Sequence, residues 1–232
     1  MTFLLPLKLM DRNWDYDVPY YYEQVIDQKE CNDICSWKDV EYCLNMPQFF
    51  DINVVSKHAI QKIDPPKYPR SWAAHPWEEK ADLFQLFKEG HTFIINNYSF
   101  RSEKVMGMLD QWSSIFSGDS QFQIYCGKGK SNSFYIHEDL PNNFIVQLKG
   151  ETHWRVFNER RATFVAQADP GDAQVDYDNF TPAIDVVLKA GDALYIPPRC
   201  YHQAQPSEER ISLSIPLHHY SLYHAHSITR PV

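Results

Sequence analysis

Three side chains in this sequence could together hold a metal ion: His137 and Asp139 in Phe134-Tyr135-Ile136-His137-Glu138-Asp139, and His202 in Pro197-Pro198-Arg199-Cys200-Tyr201-His202. Two imidazoles and one carboxylate on one face leave three coordination positions open, the arrangement of mononuclear non-haem iron(II) oxygenases. In an extended strand, residues two apart point to the same side, so His137 and Asp139 can share an ion while Glu138 faces away. The third ligand must come from a distant strand. With 10 His and 30 acidic residues in 232, about one such spacing is expected by chance, so context has to carry the reading. Here a strand holds the pair, a sheet-like run from Asn143 to Phe157 follows, and His202 comes after Gly191-Asp192-Ala193-Leu194-Tyr195-Ile196-Pro197, a turn feeding a buried strand.

The elements that must position these residues are legible in outline. Asp64-Pro65-Pro66-Lys67-Tyr68-Pro69-Arg70 reads as a linker, because its three prolines enforce extended backbone. Residues 1–64 before it form an N-terminal extension with a helix starting at Ser36, where Asp39 takes the third helical position. Its aromatic cluster, Trp14, Tyr16, Tyr20, Tyr21 and Tyr22, reads as packing rather than binding. Residues 71–232 open with two lead-in helices. One runs from Trp77 to Glu89, capped by Gly90; the other starts at N-cap Ser102 and ends at Gly118. A strand from His91 to Asn97 lies between them. Short strands then follow at Gln121–Cys126, Ser133–His137, Asn143–Leu148, Thr152–Phe157, Ala162–Ala168, Ile184–Leu188, Ala193–Ile196 and Arg210–Leu217, separated by turns such as Lys149-Gly150-Glu151. This density predicts a mainly β sandwich or barrel behind a helical lead-in.

Composition narrows the classes. The chain is 44% apolar, 15% aromatic and 22% charged, with mean hydropathy -0.48, which is ordinary for a globular protein and excludes low-complexity disorder. The apolar start from Met1 to Met10 is broken by Pro6 and is about half the roughly 20 residues of a spanning helix, so a cytoplasmic protein is expected. A formal charge of -8 argues against nucleic acid as a partner. Cys31, Cys35, Cys43, Cys126 and Cys200 read as reduced thiols; Cys31 and Cys35 share a helix face, but no second close-spaced pair completes a zinc site.

From Leu86 to Phe93, from His137-Glu138-Asp139 through the block Phe144 to Phe157, and from Gly191-Asp192 to His202, the sequence resembles the JmjC and cupin-like family of iron(II)- and 2-oxoglutarate-dependent oxygenases, in particular its bacterial ribosomal-oxygenase-like branch. The resemblance covers roughly residues 80 to 217. It implies a double-stranded β-helix, with His137, Asp139 and His202 holding Fe(II), and with 2-oxoglutarate and O2 as cosubstrates. About 30 residues follow His202, too few for the dimerisation and winged-helix domains that follow the barrel in ribosomal oxygenases, so their substrate does not carry over.

Two positions depart from the family. Thr152 stands where its members usually carry the lysine that pairs with the distal carboxylate of 2-oxoglutarate, and Arg199 replaces a glycine of the second motif. A buried dicarboxylate needs a cation, and arginine is the best bidentate partner. Arg210-Ile211-Ser212 looks like the Arg-x-Ser element by which other 2-oxoglutarate oxygenases hold that carboxylate, and alternation puts Arg210, Ser212 and Ser214 on one face. Arg210 is therefore expected to replace the lysine, with Ser212 and Thr152 as hydroxyl partners; the alternative is a solvent-exposed arginine paired with Glu208 or Glu209. Tyr125, Tyr135 and Asn143 would line the cosubstrate pocket by resemblance, ordinary barrel lining being the alternative. His153 reads as structural, and His218, His219, His224 and His226 as a solvated tail.

The implied reaction is hydroxylation of a C–H bond with release of succinate and CO2, on a peptide, protein or small-molecule substrate. Asp169, Asp172, Asp176, Asp178 and Asp185, in a stretch without Lys or Arg, would favour a cationic one if they cover the barrel mouth; a solvated surface is the plainer reading. Two other functions fit the same ligands: a cupin-type isomerase or dioxygenase without 2-oxoglutarate, favoured by Thr152 and opposed by Arg210, and a binding module that has lost its metal. The oligomeric state is not written in the sequence.

Overall fold

The computed structural model describes residues 15–46, 49–56, 59–62, 77–116, 119–129, 134–160 and 177–218, together with Leu5 and Leu9. The expected linker, the strand at 162–168, Gly118 and the histidines 219, 224 and 226 lie outside these residues. Among the described residues the strands are β1 (Tyr20–Tyr22), β2 (Ile52–Ser56), β3 (Ala59–Lys62), β4 (Thr92–Ile95), β5 (Asp119–Ser120), β6 (Gln123–Lys128), β7 (His137–Glu138), β8 (Asn142–Lys149), β9 (Glu151–Arg160), β10 (Pro182–Lys189), β11 (Ala193–Ile196), β12 (Cys200–Pro206) and β13 (Glu209–His218). The helices are α1 (Gln28–Ile34), α2 (Trp37–Asn45), α3 (Trp77–Lys88) and α4 (Glu103–Ser113).

Helix starts obey local chemistry. The Asp27 carboxylate accepts from Glu30 N–H while Glu30 reaches back to the Asp27 N–H, and Ser36 with Asp39 repeats this reciprocal cap at the start of α2. Ser102 accepts from Val105 N–H at α4. That helix ends at Ser113, one turn before the expected Gly118, and the strand expected at His91–Asn97 is the shorter β4. The β7 strand has only two residues and shares just His137 with the strand expected at Ser133–His137.

All pairings are antiparallel, and they form two sheets: β1-β11-β8-β13-β6-β4-β2-β3, with β5 against β13, and β10-β9-β12-β7. They are the walls of the expected double-stranded β-helix. The N-terminal residues build part of the larger sheet: β1 adds to β11, and β2 joins β4, with Val55 opposite Thr92. Val25 and Ile26 N–H both donate to the Gly191 carbonyl. Gly191 adopts φ 101, and a Cβ there would lie 2.5 Å from the Ile26 carbonyl oxygen, so no other residue fits this junction. Gly150 turns β8 into β9 at φ 68, where a Cβ would overlap the Glu209 backbone.

The main core lies between the helices and the outer side of the larger sheet, around Trp112, Phe144, Leu213 and Ile215. A smaller one, with Ile145, Trp154, Val156, Leu188 and Ile196, fills the space between the sheets. β13 serves both sides. Its Ile211, Leu213 and Ile215 enter the main core, while Arg210, Ser212 and Ser214 turn into the space between the sheets, and all six are buried.

Candidate metal centre and adjoining pocket

β7 pairs with β12 so that His137 stands directly opposite His202. Asp139 follows β7 immediately. One ligand atom from each of these three residues lies within 4.8 Å of the other two. His202 Nε2 is 3.6 Å from Asp139 Oδ2, and the two imidazole centroids are 4.4 Å apart. Cross-strand register thus supplies the distant third ligand.

Both rings are held in the tautomer that a metal needs. His137 Nδ1–H donates to the Tyr135 carbonyl at 2.8 Å, and His202 Nδ1–H donates to the Cys200 carbonyl at 2.9 Å. A carbonyl can only accept, so each Nε2 keeps its lone pair for the shared centre. Burial, then the neighbouring His202, push the His137 imidazole below its usual 6.5, which keeps it neutral. This donor set, two imidazoles and one carboxylate, fits a divalent transition ion.

Glu138 faces away from the centre, as alternation requires, toward Arg199. Arg199 has φ 59, a left-handed backbone that costs a side-chain-bearing residue about 1–2 kcal/mol. Its N–H donates to the Asp139 carbonyl at 2.8 Å.

His137, Asp139 and His202 also line a pocket, together with Arg210, Thr92, Val55, Tyr125, Asn143, Ser212, Ser214 and Trp154. Arg210 is 4% exposed and lies inside, which overturns the solvent-exposed alternative. Its Nη2 donates to Thr92 Oγ1 at 2.6 Å, and burial lowers its pKa to about 10, still a full cation at neutral pH. Glu209 points elsewhere, to Lys149 and Trp37. Ser212 Oγ donates to Gln147 Oε1 and Ser214 Oγ to Asn143 Oδ1, both at 2.9 Å, leaving the Asn143 amide its N–H groups to offer. Tyr125 is half-buried, and desolvation, reinforced by the Asp139 charge, raises its phenol pKa, so it stays a neutral donor.

Two expected pocket residues stand elsewhere. Tyr135 is 66% exposed and off the lining, because only its carbonyl turns inward to His137. Thr152 is buried on the inward side of β9, yet outside the pocket lining. Its Oγ1 and the Trp154 Nε1–H, two residues along the same side, are buried without a hydrogen-bond partner. Unpaired buried polar atoms mark places where a ligand or water completes the structure. His153 pairs with Asp185 on the outer side of the smaller sheet, in keeping with a structural role. Trp154, Thr92 and Val55 escaped the sequence reading. Alternation from Thr152 flags Trp154, whereas Thr92 and Val55 reach the pocket through lateral neighbours β4 and β2, which no local pattern records.

The family description "JmjC domain" matches residues 96–224. Ribosomal oxygenase 1 of Danio rerio is 26% identical over 217 residues, covering 93% of this chain and 36% of that protein. The bifunctional lysine-specific demethylase and histidyl-hydroxylase NO66 of Drosophila erecta is 25% identical over 206 residues, covering 86% and 28%. The chain therefore spans about a third of the length of these curated relatives. Among solved structures, YcfD, a ribosomal oxygenase from Escherichia coli in complex with cobalt and 2-oxoglutarate, superposes with a TM-score of 0.59 at 18% identity, covering 95% of this chain and 53% of that one. Its complex with cobalt and succinic acid also superposes at 0.59. With His137, Asp139, His202 and strands β5 to β13 inside the matched span, which covers more than half of the chain, the chain belongs to the JmjC domain family.

Proposed function

We propose that the chain is an iron(II)- and 2-oxoglutarate-dependent oxygenase that hydroxylates a C–H bond of a peptide or protein side chain, releasing succinate and CO2. One observation supports this above the rest: a buried, charged Arg210 lines the same pocket as His137, Asp139 and His202. A metal centre alone needs no such cation, whereas a dicarboxylate bound at that centre does. This favours the cosubstrate-dependent reading over a cupin-type enzyme without 2-oxoglutarate, and an intact ligand set counts against a vestigial binding module. The protein substrate rests on the relatives, whose names record histidyl-hydroxylase and lysine-specific demethylase activity.

His137, Asp139 and His202 would hold the ion. When bound, iron(II) supplies the redox chemistry that couples oxidative decarboxylation of 2-oxoglutarate to insertion of one oxygen atom of O2 into a C–H bond. Arg210 takes the distal carboxylate and Thr92 fixes the guanidinium that receives it. Asn143 and Tyr125 offer N–H and O–H donors along the path between cation and metal, and Trp154 and Ile145 keep water out. No helix among the described residues is long and apolar enough to cross a membrane. All five cysteines are thiols, which favours a reducing compartment, and we place the protein in the cytoplasm.

Anaerobic binding of 2-oxoglutarate to the metal-loaded chain tests the reading. Binding that requires both His202 and Arg210 supports it; metal binding without any 2-oxoglutarate binding shifts the assignment to the cosubstrate-independent class.

A further inference from the structure

Arg199 is the residue that replaces the family's second-motif glycine, and the structure gives this departure a partner. The chain keeps the left-handed turn that glycine enters freely, at φ 59, even though a Cβ resists it. The Arg199 Nε lies 3.8 Å from Glu138 Oε2, with the two side chains only 11% and 16% exposed. Glu138 sits between His137 and Asp139 and pairs across the sheet with Tyr201, the neighbour of His202. The Arg199 N–H holds the Asp139 carbonyl as well. A single residue three positions before His202 thus grips the segment bearing the other two ligands at two points, one ionic and one on the backbone.

We propose that Glu138 and Arg199 are a positioning pair that sets the separation between the His137–Asp139 segment and the strand carrying His202; this rests on reading those three residues as metal ligands. Neither member touches the ion. Their location explains why charge suits the task. Poorly hydrated opposite charges attract more strongly than surface ones, and removing one leaves the other uncompensated, so the pair holds one arrangement of the two segments. A glycine at position 199 supplies the turn but not the grip.

The test compares cobalt(II) affinity and visible ligand-field spectrum with thermal unfolding of the metal-free full-length chain, in wild type, Arg199→Gly, Glu138→Gln and the double variant. Arg199→Gly relieves the backbone, which offsets part of the cost of leaving Glu138 uncompensated, so its melting temperature falls less than that of Glu138→Gln, while cobalt affinity falls about tenfold, as when other groups that orient ligands are removed. The band shape changes with it. The double variant loses no more than the weaker single variant, because both break one interaction. Wild-type affinity and spectrum in Arg199→Gly would overturn the proposal, as would affinity losses that track losses of melting temperature across the set. A wild-type chain that binds no cobalt at all overturns the ligand assignment itself, a separate failure.

Discussion

Arg210 on β13 reaches across β6 to donate to Thr92 Oγ1 on β4, at 2.6 Å. The crossing is open because the residue registered with Arg210 on β6 is Gly127, which has no side chain to fill the row. The guanidinium is thereby anchored at one end and directed into the pocket at the other. Removing it leaves a dicarboxylate with no cation among the lining residues. Arg210→Ala is expected to weaken 2-oxoglutarate binding to the cobalt-loaded chain by about 2 kcal/mol, or roughly 30-fold, with cobalt affinity unchanged. Isothermal titration reads both. Equal 2-oxoglutarate affinity in the two proteins would contradict the role.

A second expectation concerns the position at which the family carries its lysine. Thr152 lies on the inward side of β9 with an unpaired, buried hydroxyl. Thr152→Lys introduced into Arg210→Ala should recover part of the lost 2-oxoglutarate affinity, by placing a cation at the same pocket from the opposite sheet. Thr152→Lys alone should weaken binding, since two cations then crowd one buried space. Failure of the double variant to exceed Arg210→Ala, in a protein that still binds cobalt, would separate the two positions.

These two strands also show where sequence reasoning reached and where it stopped. β13 was legible as a strand because apolar and polar residues alternate, and alternation correctly placed Arg210, Ser212 and Ser214 together. Its polar face meets the pocket rather than solvent, which no alternation pattern distinguishes. β12, which carries His202, was missed altogether: in His202-Gln203-Ala204-Gln205-Pro206 the inward positions are a ligand and an alanine, so a strand serving a site lacks the apolar signature of one serving a core. The clustering of His137, Asp139 and His202 was readable from spacing and context. Val55 and Thr92 were not, because their place depends on β2 and β4 lying beside β6.

Beyond the strand pairings, the N-terminal residues are tied to the barrel by a buried carboxylate. Asp192, 2% exposed, accepts from the Tyr21 hydroxyl, from the Gln24 N–H and Nε2, and from the Lys189 N–H. Asp192→Ala leaves these donors without their acceptor and should cost about 3 kcal/mol in urea unfolding. Hydrogen exchange should accelerate first in β1 and its partner β11. A change below about 0.5 kcal/mol, the range of an ordinary surface substitution, would show that β1 holds without this clamp.

All five thiols are buried, and burial raises their pKa: to about 11 for Cys31 and about 12 for Cys43 and Cys126. The folded chain therefore retains thiol protons that the unfolded chain releases near pH 9, so this linkage removes stability as pH rises from 9 toward 11. At pH 8 a disulfide reagent such as DTNB should label none of the five in the native protein and all of them in guanidinium chloride. Rapid stoichiometric labelling of any native cysteine would contradict the burial.

The most direct measurement is an anaerobic titration with iron(II) and then 2-oxoglutarate, following the weak visible charge-transfer band of the chelated cosubstrate. The band should appear in the wild-type chain, vanish in His202→Ala for lack of metal, and require a much higher 2-oxoglutarate concentration in Arg210→Ala. Bound iron without a band at any 2-oxoglutarate concentration would contradict the assignment.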